Sequence, residues 1–276
     1  MTTHPLRGAA ESLNGPTPAD AAREIARLGS AVLRGVWAPE PLATLRDAIT
    51  GFCDNRADVV ASGAADAMTR HYHEQGTIVL NWLMYEGRLG LEFLADMFRG
   101  SFFEATARAF FDDDRIFMAP ERIGARNMRP PHSAATALPF HQDSYNQDRR
   151  VRGVLNCWIP LDPGAGTTAP GVEVVRHPGL PGFELRDPGA AATGPSYDSV
   201  AIDRDRIVAE YGDSFLAPAF ALGDSLVFSQ DVIHRTYVTP GMTDPRIGFE
   251  FRVFSLKHLA PGAFADEVEA ESFPLN

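Results

Sequence analysis

The chain has 276 residues, a net charge of −11 and a pI near 5.2, a balance that repels a phosphate backbone and argues against a nucleic-acid partner. Its 45% apolar content suffices for a sizeable core, and Gly 24 with Pro 21 favours many turns and short strands. The only cysteines, Cys53 and Cys157, supply no disulfide framework; Met1 to Asp20 has no apolar leader and no run reaches membrane-spanning length, so a cytoplasmic protein without a membrane partner is expected.

One domain over residues 1–276 is expected, in four parts: a loose arm over 1–18, a mostly helical flank over 19–115, a β core over 116–258, and a long insert within it at about 177–222. Ala19 to Leu28 spaces its apolar residues helically, with Gly29 placed as a C-cap. Ser30 to Trp37 reads as a strand, and Ala38 to Phe52 as a helix with proline in its first turn. Ala57 to Gln75 is polar and alanine-rich, helical at best. His71, His73 and Glu74 stand close together there, but no flanking strand pattern supports a metal site, and they read as surface or lid residues. Leu91, Leu94, Phe98, Phe102, Ala105 and Ala109 predict one long packed helix over Leu89–Phe111, ended by a solvated Asp112-Asp113-Asp114 turn.

Beyond Ile116 the texture changes. Glu121–Met128, Gly153–Leu161, Gly171–Arg176, Asp224–Ser229 and Ile247–Leu256 are short β-prone runs bounded by turns, with a loop at 130–139. This pattern predicts a sandwich or barrel, helices first and an antiparallel double sheet after. Asn156 and Trp158 share one strand face.

The chemistry gathers at Pro139-Phe140-His141-Gln142-Asp143-Ser144-Tyr145. In extended chain His141 and Asp143 point the same way, one offering an imidazole nitrogen and the other a carboxylate oxygen. A second histidine would complete a 2-His-1-carboxylate set, which occupies one face of an octahedral metal and leaves the opposite positions open, as non-haem Fe(II) oxygenases require. Alone, His-x-Asp is unspecific. His234, just past the apolar strand that follows Gly223-Asp224, supplies the second histidine. Arg246 opens the last strand, and arginine suits a planar carboxylate through two parallel charge-assisted hydrogen bonds.

In this order, His141-x-Asp143, Trp158-Ile-Pro-Leu161-Asp, Ala169-Pro-Gly-Val-Glu-Val-Val175, Gly223-Asp224, His234 and Arg246 resemble the phytanoyl-CoA dioxygenase family, from about Ile25 to Leu256. The resemblance implies a mainly β fold with N-terminal helices and a double-stranded β-helix (jelly-roll, cupin-like) core. It also implies an Fe(II)- and 2-oxoglutarate-dependent dioxygenase that uses O2, releases succinate and CO2, and hydroxylates an unactivated C–H of a small-molecule substrate, with desaturation or ring closure as variants. Carried over, it assigns His141, Asp143 and His234 to iron, Arg246 to the distal carboxylate of 2-oxoglutarate, and Asn156 to a cosubstrate contact; Asn156 also reads as a strand asparagine satisfied by backbone. Halogenases related to the family lack the carboxylate that Asp143 provides here.

Two departures stand. Where the family often has Pro-Gly-Ser-His, this chain has Val175-Arg-His-Pro-Gly-Leu180, so His177 reads as structural. Arg252 shares the strand face of Arg246, with Glu250 between them, so Arg252 remains the alternative anchor or a structural ion pair. Arg126, Asn127, Tyr145, Trp158 and Tyr237 are substrate-pocket candidates by proximity to the metal strands. Arg149, Arg150 and Arg152 read as a solvated loop or a contact for an anionic substrate. The rival readings are a cupin-like metalloprotein acting without 2-oxoglutarate, which has no need of Arg246, and a non-catalytic jelly-roll binding protein.

Overall fold

Thr17 begins the first helix. Its hydroxyl accepts from the Asp20 backbone N–H, and the Asp20 carboxylate accepts from the Thr17 N–H, a reciprocal cap that satisfies two donors the helix leaves open. The computed structural model describes residues 16–65, 70, 77–79, 90–120, 123–132, 137–143, 150–177 and 201–275. His71, His73, Glu74 and Tyr145 lie outside the described residues, as do most of the N-terminal arm and residues 178–200 of the insert.

Helix α1 (Pro18–Leu28) is followed by strand β1 (Ser30–Leu33) and helix α2 (Pro39–Ala61). Helix α2 outruns the expected end at Phe52. Cys53 to Ala61 contains neither glycine nor proline, and its Arg56 is buried, packed over the Phe52 ring, so the helix continues to Ser62-Gly63.

The single helix expected over Leu89–Phe111 is two: α3 (Leu91–Phe98) and α4 (Phe102–Phe111). Apolar periodicity runs through the break, but Arg99 turns out of helical conformation at ψ 125, and Gly100 takes φ 72, where a Cβ would be strained. Ser101 then caps α4 by accepting from the Glu104 N–H at 3.0 Å.

Strands β2 (Thr77–Val79), β3 (Phe117–Met118), β4 (Gly124–Met128), β5 (Leu155–Pro160), β8 (Ser225–Ser229), β10 (Arg246–Phe254) and β11 (Phe273–Pro274) join β1 in an antiparallel sheet of eight strands. Its path is β1-β8-β5-β10-β3-β11, with β4 beside the first half of β10 and β2 outside β4. A smaller sheet carries β6 (Gly171–Val175) between β7 (Phe215–Leu216) and β9 (His234–Tyr237). The insert also contains helix α5 (Arg204–Tyr211), capped by the Asp203 carboxylate; a proline- and glycine-interrupted sequence had not marked it. Helix α6 (Ala265–Ala270) lies near the C-terminus. The fold is mainly β with N-terminal helices around a jelly-roll core. No helix among the described residues is long and apolar enough to cross a membrane.

The large sheet has two unlike faces, set by the period-2 alternation of its strands. Leu155, Cys157 and Ile159 of β5 and Ile247, Phe249, Phe251 and Val253 of β10 face the helices. There the Phe103 ring of α4 meets Phe251 edge-on at 5.4 Å, Phe98 at 5.6 Å and Trp37 at 6.2 Å. The opposite face, with Trp158, Leu226 and Phe228, packs toward the small sheet. Phe103 is fully buried at this junction, so its truncation leaves a cavity. Phe103→Ala should lower unfolding free energy by about 3–5 kcal/mol in urea denaturation while leaving metal binding intact.

Candidate metal centre

His141 and His234 meet through backbone. Each donates its N–H to the other's carbonyl at 2.9 Å, an antiparallel bridge at the edge of the small sheet. Residues paired this way carry their side chains on one face, and the two imidazole centroids lie 4.2 Å apart. Gln142, between the two ligands in sequence, turns away and donates from its side-chain amide to the Asp231 carbonyl, which ties the turn ahead of β9 to this segment.

Both rings are oriented by carbonyls that can only accept. His141 Nδ1 lies 2.8 Å from the Pro139 oxygen and His234 Nδ1 lies 2.9 Å from the Val232 oxygen. The Nδ1 atoms therefore carry the protons, and each Nε2 presents a lone pair. Asp143 Oδ1 sits 3.8 Å from both Nε2 atoms. All three side chains are buried, and their ligand atoms lie within 4.8 Å of one another, the one such cluster found among the described residues.

Electrostatics suit a cation. Burial, with His234 beside it, lowers His141 to about 3, which keeps the imidazole neutral. Burial alone would raise the Asp143 carboxyl, but Arg252 and the two imidazoles outweigh it and hold the group well below the usual carboxylate range. A carboxylate with two imidazole nitrogens makes a borderline-hard set suited to a divalent first-row metal. The 3.8 Å separations are somewhat wider than the about 3 Å that ligands at about 2.1 Å span on an octahedral edge, so a small closure completes the fit.

The even-numbered residues of β10 look onto this centre. Arg252 donates from Nη2 to Asp143 Oδ2 at 3.0 Å and pairs with Glu250. Arg246, at the other end of the strand, is 2% exposed. Its Nη2 reaches the Met128 sulfur at 3.1 Å, its guanidinium stacks over Trp158 at 5.2 Å, and its Nε has no hydrogen-bond partner. No carboxylate forms an ion pair with it among the described residues. Burial, with Arg126 nearby, lowers it to about 9, so it remains charged at neutral pH. The start of β10 is pinned by Asp162, whose Oδ2 accepts from the Ile247 N–H at 2.6 Å and whose Oδ1 accepts from Arg46 at 2.6 Å. Gly248 leaves room for the Trp158 indole, since a Cβ there would stand 2.8 Å from Nε1.

Strand alternation sorts the other sequence candidates. Arg126 pairs in register with Gly248 and lies on the inner face, close enough to lower His141 and Arg246. Asn127, one residue on, faces the helices, and its side chain bonds to Cys53 of α2. Asn156 and Trp158 are on the inner face opposite Arg252 and Glu250. Among the described residues neither amide atom of Asn156 has a partner, so no backbone group there satisfies it. Tyr237 lies on the opposite face of β9 from His234, with Arg235. Sequence reasoning misses the Arg252–Asp143 contact, Met128 under Arg246 and the Phe228 ring 4.6 Å from His234. Only the shared even parity of 246, 250 and 252 hinted at the first.

No protein-family model matches the chain, and no curated protein matches it. Solved structures do. The non-haem alpha-ketoglutarate-dependent carbocyclase SnoK of nogalamycin biosynthesis superposes with a TM-score of 0.61 at 13% identity, covering 95% of this chain and 100% of that one. EvdO2 from Micromonospora carbonacea var. aurantiaca, complexed with 2-oxoglutarate, gives 0.52 at 19% identity, covering 87% of this chain and 94% of that one. The epimerase SnoN in complex with Fe3+, alpha-ketoglutarate and nogalamycin RO gives 0.52 at 13% identity, covering 85% and 82%. At these identities the likeness is one of fold.

His141→Ala and Asp143→Ala should each abolish stoichiometric binding of Fe(II) or Mn(II), measured by metal analysis after gel filtration. Far-UV circular dichroism should match the parent, because neither side chain contributes to the aromatic core between sheet and helices.

Proposed function

We propose that this chain is an Fe(II)- and 2-oxoglutarate-dependent dioxygenase of the phytanoyl-CoA dioxygenase kind, acting on a C–H bond of a small molecule. The observation that carries the reading is Arg246, a buried guanidinium that forms no ion pair with a carboxylate among the described residues, on the sheet face that looks onto His141, Asp143 and His234. A buried charge without a counterion is costly, and an anion that enters with the reaction relieves that cost. The dicarboxylate 2-oxoglutarate fits, with its 2-oxo-acid end at the metal and its far carboxylate on Arg246. A cupin-like enzyme without a 2-oxo acid gives Arg246 no role.

Iron held by His141, Asp143 and His234 would couple oxidative decarboxylation of 2-oxoglutarate, using O2, to oxidation of the substrate, with succinate and CO2 released. The protein's share is orientation and exclusion of water. Pro139 and Val232 carbonyls fix the imidazole tautomers, Asp162 fixes the strand that carries Arg246, and the Trp158 ring covers the guanidinium. The unpartnered amide of Asn156 is placed to bond a polar group of cosubstrate or substrate. Arg126 and Trp158 are the substrate-pocket residues retained from the sequence candidates; Asn127 and Tyr237 face elsewhere. The structural neighbours include a carbocyclase and an epimerase, so ring closure or epimerisation stands beside hydroxylation as the outcome.

Anaerobic addition of Fe(II) and then 2-oxoglutarate to metal-free protein should produce a weak visible metal-to-ligand charge-transfer band that needs both additions. Arg246→Ala should retain Fe(II) but weaken 2-oxoglutarate by at least about tenfold, since a charge-assisted bidentate contact contributes about 1.5–3 kcal/mol. Bound iron with no band on adding 2-oxoglutarate would sink the reading and favour the cupin alternative.

A further inference from the structure

Asp143 has two carboxylate oxygens with different surroundings. Oδ1 faces the two Nε2 atoms at 3.8 Å each, and Oδ2 accepts a hydrogen bond from Arg252 Nη2 at 3.0 Å. The same Nη2 atom is also paired with Glu250, two residues earlier on the same face of β10. Glu250 is drawn into the centre at some cost, because burial pushes its carboxyl up while Arg252 opposes that rise. The group is more elaborate than neutralising one aspartate requires: one guanidinium nitrogen shared by two carboxylates from different segments has a defined direction as well as a charge.

We infer, on the reading that His141, Asp143 and His234 bind iron, that Arg252 is a positioning residue that makes Asp143 a one-oxygen ligand. A carboxylate binds a metal through one oxygen or both. Using both would fill one of the positions that a 2-His-1-carboxylate set leaves open, positions a chelating cosubstrate and O2 need. The hydrogen bond to Oδ2 withholds that oxygen and turns Oδ1 toward the imidazoles. Glu250 steadies the guanidinium so that it cannot swing away with the substrate.

A purely charge-balancing Arg252 predicts the opposite sign for its removal. Deleting a cation beside a divalent metal site relieves repulsion and tightens metal binding. Deleting a group that orients a ligand weakens it, by about 10–100-fold for partners of this kind. Lysine separates the two further, because it keeps the charge and loses the planar fork.

The test uses Mn(II) alone, without 2-oxoglutarate, and follows loss of the free aqueous Mn(II) electron paramagnetic resonance signal as metal-free protein is added. Arg252→Leu and Arg252→Lys should both raise the Mn(II) dissociation constant by about 10–100-fold, with Glu250→Gln giving a smaller change in the same direction and circular dichroism unchanged in all. At saturating Fe(II), the 2-oxoglutarate charge-transfer band of both Arg252 variants should be diminished. Equal or tighter Mn(II) binding in Arg252→Leu, or full restoration by Arg252→Lys, overturns the inference while leaving the metal site standing. Should the leucine variant fail to fold, the lysine variant and Glu250→Gln decide. Mn(II) binding that survives His141→Ala would instead overturn the metal-site reading, and this inference with it.

Discussion

The pair of backbone hydrogen bonds between His141 and His234 is the interaction on which the centre depends. It joins a loop-borne segment to a late strand across the middle of the chain, and it does so at the two residues whose side chains are needed together. Backbone pairing fixes the Cα positions, and Nδ1 bonds to the Pro139 and Val232 carbonyls then fix the ring orientations. Two imidazoles with aligned lone pairs are hard to hold in a buried place without such double constraint, since each ring otherwise loses rotamer freedom for no gain. Phe228 packs on His234 and completes the confinement.

Around that pair the inner face of the large sheet carries unusual charge for a jelly-roll interior: Arg126, Arg246 and Arg252 with Asp143 and Glu250. The charges are divided by position along β10. At the Arg252 end two carboxylates share one guanidinium next to the metal ligands, whereas at the Arg246 end a guanidinium lies against a sulfur and an indole. Sulfur and indole are weak partners for a cation, worth far less than the hydration it gave up. The first end is satisfied within the protein, and the second holds a guanidinium that forms no ion pair with a carboxylate among the described residues. On the proposed reading this asymmetry favours Arg246 over Arg252 as the anchor, which their shared strand face alone leaves open.

Much of the fold is legible in the sequence. Strand alternation and turn residues were enough for the order helices, then short strands, and the three ligand types at His141, Asp143 and His234 do converge. What periodicity misjudged has local causes. The apolar stripe over Leu89–Phe111 continues across Gly100, so the break into two helices was visible only in the glycine and the Ser101 cap, which periodicity does not weigh. Helix α5 in the insert is short and buries Ile207 alone, so nothing in its pattern announces it. Among the pocket candidates, Arg126 and Asn127 were chosen together although neighbours on a strand cannot face the same way; the register of β4 with β10 resolves them. The Arg252–Asp143 bond joins residues far apart in sequence, and no local pattern encodes such a pair.

The two faces of β10 explain how a fold of this kind can keep its stability separate from its chemistry. Odd positions, Ile247 to Val253, give aromatic and aliphatic bulk to the helices, and even positions, Arg246 to Arg252, give charge and space to the centre. Gly248 lies in the middle of the functional face because the Trp158 indole occupies the volume a side chain would take. A one-residue slip of β10 would bury three charges against Phe103 and Trp37 and turn Phe249 and Phe251 onto the imidazoles, at a cost larger than the net stability of a domain. Asp162, which holds the Ile247 N–H, and the long pairing with β5 therefore guard the register on which both the core and the metal centre rest. Changes on the odd face should register as stability, and changes on the even face as ligand affinity, because the strand's own periodicity keeps the two sets of contacts apart.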